Sequence, residues 1–145
     1  MIYLAGDKHG FKAIQFVKQY LTKHAIPFQD LGAQDALISM PLETMIPPVI
    51  KNVREHQDNK GILSCGTGVG VEVGANKFSG IRACLATNPK VAEYSIVYDK
   101  CNVLCLVGWD STQESVNEIL DAWLNSTYDG NQQRIKMMNT FDTWH

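Results

Sequence analysis

The stretch GILSCGTGVGVEVGANK, residues 61–77, decides how this chain is read. An apolar run ends in Cys65, and Gly66, Gly68 and Gly70 follow at alternate positions before a segment of helical composition. Glycine loses more backbone freedom on folding than other residues do, so three in such a short span weaken any packed element. They are compensated if the run is a strand-to-helix loop whose amides approach a ligand, with the helix's positive end behind them. Outward from this loop the chain alternates. Short apolar runs at MIYLA (1–5), IPFQDLG (26–32), IRACLA (81–86) and NVLCLVG (102–108) flank it. Between them lie helical stripes such as Phe11, Ile14, Val17 and Leu21, or Val116, Ile119, Leu120, Trp123 and Leu124. About five short apolar runs separated by helical patterns imply a parallel sheet covered on both faces.

The composition narrows the function. The 145 residues are 45% hydrophobic and 19% charged, enough for one domain with a full core. A net charge of -2 and the lack of a long basic run speak against nucleic acid or an anionic membrane as partner. The N-terminus MIYLAGDKHG has no positive flank and too short an apolar run for a signal peptide, so a cytoplasmic location is expected. Cys65, Cys84, Cys101 and Cys105 are expected as thiols, because their spacing fits no zinc site and the core needs no staples. Within Leu42–His56, Pro47 and Pro48 are expected to delay or kink a helix. Gln34–Met40 is the candidate linker, and the segment 129–143 reads as a terminal helix that docks on a second subunit.

Ligands of open parallel sheets sit beyond the carboxyl ends of strands. The candidate stretches are AGDKHG after the first run, SCGTGVG after the third and YDKCN before the fifth. The glycine loop is neither a Walker motif nor a dinucleotide fingerprint, so its anion belongs to a small metabolite. Thr67 adds a hydroxyl, and Cys65 sits where the helix's positive end would stabilise a thiolate acting as nucleophile or base. Each candidate has a second reading. Cys65 also suits a small buried hydrophobe, Asp7 a cap for the next helix, and Lys8 and His9 solvated loop positions. Cys84 and Cys105, inside apolar runs, read as core.

These residues resemble the ribose-5-phosphate isomerase type B and galactose-6-phosphate isomerase family. The resemblance is carried by SCGTGVGVEVGANKFSGIRA (64–83), GDKHGFK (6–12), CNVLCLVG (101–108) and ILDAWLNSTYDG (119–130), and spans nearly the whole chain. It implies a three-layer α/β/α, Rossmann-like or flavodoxin-like fold. It also implies a homodimer or dimer of dimers with active sites shared between subunits, and neither metal nor organic cofactor. The implied reaction is aldose–ketose isomerisation of a small sugar phosphate through an enediolate. Cys65 would move the proton, Thr67 and the amides of Gly66, Gly68 and Gly70 would hold the oxyanion, and Asp7 would bind a sugar hydroxyl. Lys8, His9, Asn102, Arg134 and Lys136 complete the substrate-binding set, with Asp99 a catalytic candidate.

The chain departs from the family pattern at several of these places. Lys8 stands where many members have histidine, and Tyr98-Asp99 replace a His-Asn pair used in ring opening. Gln132 and Lys136 align with two phosphate-binding arginines, and Met40-Pro41 with a Tyr-Pro pair. A sugar too short to cyclise, such as a tetrose phosphate, is one expectation that follows; His9 or Asp99 taking over the acid/base role is another. The alternative to an isomerase is a non-catalytic or hetero-oligomeric partner subunit. A thiol redox protein ranks last, because no resolving cysteine sits close in sequence to Cys65.

Overall fold

The computed structural model describes residues 1–144. In chain order the elements are β1 (Ile2–Gly6), α1 (Phe11–Lys23), β2 (Phe28–Asp30), α2 (Leu42–Glu55), β3 (Lys60–Cys65), α3 (Val69–Ala75), β4 (Ala83–Leu85), α4 (Pro89–Val97), β5 (Val103–Val107), α5 (Gln113–Asn125) and α6 (Gln132–Phe141). The strands form one parallel sheet in the order β2-β1-β3-β5-β4. The expected Rossmann-like, three-layer α/β/α sandwich is therefore the observed fold.

Alternation along the central strands feeds two cores. Ile62, Leu104 and Leu106 face one side, where they pack with Ile14, Val17 and Leu21 of α1, Ala92 and Ile96 of α4, and Val116, Leu120 and Trp123 of α5. Leu63, Cys65, Val103 and Cys105 face the other, against Met45, Val49 and Val53 of α2 and Val71 and Ala75 of α3. Successive side chains of a strand point to opposite faces, so a run apolar at every position belongs in a sheet covered twice. Cys65 thus points toward α2 and α3.

Local signals fix the helix starts. Asn88 accepts from the Val91 amide (2.9 Å) with Pro89 following at the first helical position, and Thr112 and Ser115 close a reciprocal capping box at α5. The delayed start expected of Pro47 and Pro48 is not found: α2 runs from Leu42 through both prolines to Glu55. Both prolines lie on the exposed side while Met45, Ile46, Val49 and Ile50 are buried, so the carbonyls they leave without an N–H partner face water.

The segment 34–40 is the surface connection from β2 to α2 and not a linker between domains. The terminal helix α6 contacts its own chain. Met138 is buried, and Asp142 accepts through its carbonyl from Ser79 Oγ (2.8 Å) and through its carboxylate from the Gly80 amide (2.9 Å). Met137, Phe141 and Trp144 remain exposed.

Candidate active site

From β1 the chain crosses to β2 on one side and to β3 on the other, which makes the carboxyl ends of β1 and β3 the topological switch point of the sheet. Three loops meet there: residues 6–10 after β1, 65–68 after β3, and 108–109 after β5. They touch through backbone. The Asp7 amide donates to the Ser64 carbonyl (3.3 Å), and the Gly108 amide to the carbonyls of Cys65 (2.8 Å) and Gly66 (3.1 Å). A side chain at Gly10 would stand 2.1 Å from the Ser64 carbonyl oxygen, and one at Gly108 would stand 2.3 Å from that of His9. Ser64, buried, sends its hydroxyl to the Leu106 carbonyl (2.9 Å), a further tie between β3 and β5.

This frame gathers Asp7, Lys8, His9, Cys65, Gly66, Thr67, Gly68 and Gly70 at one end of the sheet. Asp7 Oδ1 accepts from the amides of His9 (2.9 Å) and Gly10 (2.8 Å), so one carboxylate oxygen shapes the β1 loop. It does so from before the helix, whose own cap, Gly10, has no side-chain bond. Lys8 and His9 are exposed. The Thr67 hydroxyl, also exposed, accepts from the Val69 amide (3.2 Å). Gly68 adopts φ +78, and a side chain there would strike Leu85 and the Leu106 carbonyl, so both conformation and space demand glycine.

The thiol itself is buried, in line with the second reading of Cys65. Cys65 is 6% exposed, with Sγ 3.9 Å from where a Gly70 side chain would begin and Leu42 of α2 beside the same point. The helix behind it, α3, has only two turns. Cavities of about 680, 750 and 830 Å³ lie along β4, below the sheet and beside α2, and neither Cys65 nor Thr67 lines any of them.

Asp99, Asn102, Arg134 and Lys136 do not join Cys65 in the same chain. Asn102 precedes β5, and its carbonyl accepts from Gly61 (2.9 Å), level with the start of β3. That is five residues back along the strand from Cys65, or about 16 Å at the usual rise. The stretch YDKCN thus lies at the amino ends of the strands, opposite the switch point. The Asn102 side chain is committed there, donating to the Gly80 carbonyl (2.9 Å) and accepting from the Arg82 amide (2.9 Å). Asp99 follows the end of α4 and lines the cavity beside β4. Arg134 pairs with Asp129 (3.0 Å) and lies over the Tyr98 ring, 4.6 Å from its centroid. Lys136 is exposed on α6.

The remaining thiols suit core roles. Burial pushes Cys84 upward and Cys101 to about 12, with Cys84 and Asp99 adding to Cys101, and it drives Cys105 well above its ordinary value. All three stay protonated near neutrality. Among the described residues no group of three or more His, Cys, Asp or Glu side chains is placed to hold a metal ion, and no helix is long and apolar enough to cross a membrane.

Comparison with known proteins supplies the deciding observation: the sequence profile described as Ribose/Galactose Isomerase matches residues 2–139. The chain belongs to that family. Among its relatives is a probable ribose-5-phosphate isomerase B of Mycoplasma pneumoniae, 33% identical, covering 89% of this chain and 85% of the relative. A 4-deoxy-4-sulfo-D-erythrose isomerase of a Clostridium strain is 30% identical over 74% of this chain and 68% of its own. In structure, the ribose 5-phosphate isomerase of Thermotoga maritima superposes with a TM-score of 0.92 at 29% identity, over 99% and 97% of the two chains.

Within this isomerase-family frame, sequence reasoning missed Trp109. Its ring lies on Gly66, with Cε2 and Cζ2 2.4 Å from where a Gly66 side chain would begin, and its indole N–H donates to His9 Nδ1 (3.4 Å). The signal was present. Gly108-Trp109 follows the last apolar run and so occupies a carboxyl strand end, the place where ligands bind. Leu42, against Gly70, carried no comparable signal.

Proposed function

We propose that this chain is an aldose–ketose isomerase acting on a short sugar phosphate, with Cys65 as the proton-transferring base. The observation that carries the reading is the convergence of Asp7, Cys65 and Thr67 at the switch point, in a loop frame held by backbone contacts. Isomerisation needs a base that takes a proton from the carbon next to the carbonyl and returns it to the carbonyl carbon. It also needs donors for the oxygen that becomes anionic in between. Cys65 fills the first role and the backbone of the Gly66–Gly70 loop, with Thr67, the second. Restricted exposure suits this chemistry, because an enediolate is protected when water is kept from it.

The groups at the amino ends of the strands complete the site in a second copy of the chain. Asn102 stands about 16 Å along the sheet from its own Cys65, while Asp99 follows α4 and Arg134 and Lys136 lie on α6, Arg134 over the Tyr98 ring. An assembly that sets one chain's β4 side against the other's glycine loop brings cations to the substrate's phosphate. Tyr98 and Asp99 then stand where a ring-opening histidine would act, which favours a sugar that is already open. Four-carbon aldoses carrying a terminal anion meet that condition, and the sulfoerythrose relative is named for such a substrate.

The test replaces Cys65 with Ala and follows exchange of the C2 proton with deuterium oxide as well as turnover. Both fall by at least about a thousandfold, while melting stays within a few degrees of the parent. A Cys65→Ala protein that retains exchange overturns the assignment of the base.

A further inference from the structure

The isomerase chemistry above leaves Trp109 unused, although it sits directly on the catalytic loop. Its amide donates to the Gly66 carbonyl (3.2 Å), and one ring face covers Gly66. The indole then extends toward the β1 loop. There its N–H reaches His9 Nδ1 (3.4 Å), and the two rings meet edge to face at 80° with centroids 5.7 Å apart. A residue from the end of β5 therefore passes over the end of β3 and is propped by one from the end of β1. Despite both contacts Trp109 is 62% exposed. A ring recruited only for packing would bury its second face; this one leaves it open to solvent beside Gly66. Accepting from the indole also fixes the neutral His9 ring with its proton on Nε2, which leaves that nitrogen as a donor.

We infer that Trp109, propped by His9, sets substrate length: it walls the Gly66 side of the oxyanion cradle, admits open four-carbon sugar phosphates and turns away cyclic five- and six-carbon ones. The inference rests on the isomerase reading. With the reacting carbons held at Cys65, the indole bounds the cradle on the Gly66 side, and the breadth of a furanose or pyranose ring meets it. Exclusion by a rigid aromatic wall is steric and acts on the larger substrate alone, which separates it from a general effect on catalysis.

The experiment compares kcat/KM for erythrose 4-phosphate and ribose 5-phosphate in the parent, Trp109→Ala, Trp109→Phe and His9→Ala. The parent favours the four-carbon sugar. Trp109→Ala shifts the ratio toward ribose 5-phosphate by about tenfold or more, chiefly through a lower KM for ribose 5-phosphate, whereas Trp109→Phe keeps the ratio within about threefold of the parent. His9→Ala, which removes the prop, shifts it in the same direction as Trp109→Ala. A Trp109→Ala enzyme that is active with an unchanged ratio overturns the wall and leaves the isomerase reading standing. So does one that is folded but dead on both sugars, since a wall is dispensable for the chemistry. A parent inactive on both sugars and on galactose 6-phosphate overturns the isomerase reading itself, and the wall with it.

Discussion

Two glycine-to-alanine substitutions at the meeting point of the loops have unequal consequences, although both crowd the same few ångströms. At Gly10 the new methyl carbon would stand 2.1 Å from the Ser64 carbonyl oxygen and 2.4 Å from its carbon. Real contacts of this kind do not fall below 3.0 Å, so the start of α1 and the end of β3 must part by at least about 0.9 Å. Those atoms are backbone of the central strand β3, facing the first residue before α1, and the Asp7–Ser64 hydrogen bond lies beside them. The expected cost is about 3 kcal/mol, the upper range for overpacking. At Gly66 the obstacle is the Trp109 ring at 2.4 Å, a side chain 62% exposed that can swing into solvent. Its displacement costs about 1 kcal/mol or less. Urea denaturation separates the two cases, and the melting temperature follows, with Gly10→Ala lower by about 10 °C and Gly66→Ala by about 3 °C. Gly66→Ala also lengthens access to the cradle, so it moves the erythrose-to-ribose ratio in the direction of Trp109→Ala. A Gly10→Ala protein within about 1 kcal/mol of the parent refutes the backbone frame described here.

If the site is shared between copies, Cys65→Ala and Arg134→Ala chains, each inactive alone, recover about a quarter of parental activity when mixed and reassembled in equal amounts, because half the dimers then carry one intact site of two. Failure to recover any activity removes Arg134 from a partner's site. The Cys101 thiol, ordinarily near 9.0, is raised to about 12 in the fold, chiefly by burial. The folded state favours the uncharged thiol, so its contribution to stability is complete below pH 9 and is lost as pH rises toward 12. Unfolding measured from pH 8 to 12 therefore shows a shallower alkaline loss for Cys101→Ala than for the parent; parallel curves refute the burial argument.

The fold was legible because β1, β3 and β5 are apolar at nearly every position, which only a doubly covered strand requires. α2 was less so: the sequence shows two prolines but not that they face water, and only burial of Met45, Ile46, Val49 and Ile50 reveals that the helix can tolerate them. The glycine loop could be placed at a strand end from its composition alone. Asp99 and Asn102 were drawn into the site by their nearness to β5 in sequence, yet they precede the strand and so belong to its amino end. The same logic applied to the following residues points to Trp109. Burial of Cys65 was one of two readings its place at the end of an apolar run allowed; the structure decides for it, and adds Leu42, a residue distant in sequence, beside the same point at Gly70.

Gly10, Ser64, Cys65, Gly66 and Gly108 meet through main-chain atoms, while Lys8, His9, Thr67 and Trp109 project from the same loops into solvent. The scaffold of the pocket and its selectivity are consequently carried by different atoms. Exchanging Lys8, His9 or Trp109 leaves in place the peptide groups that would steady an oxyanion, whereas the Thr67 hydroxyl is tied to the Val69 amide. Lys8, His9 and Trp109 are therefore the natural targets for changing what the pocket accepts.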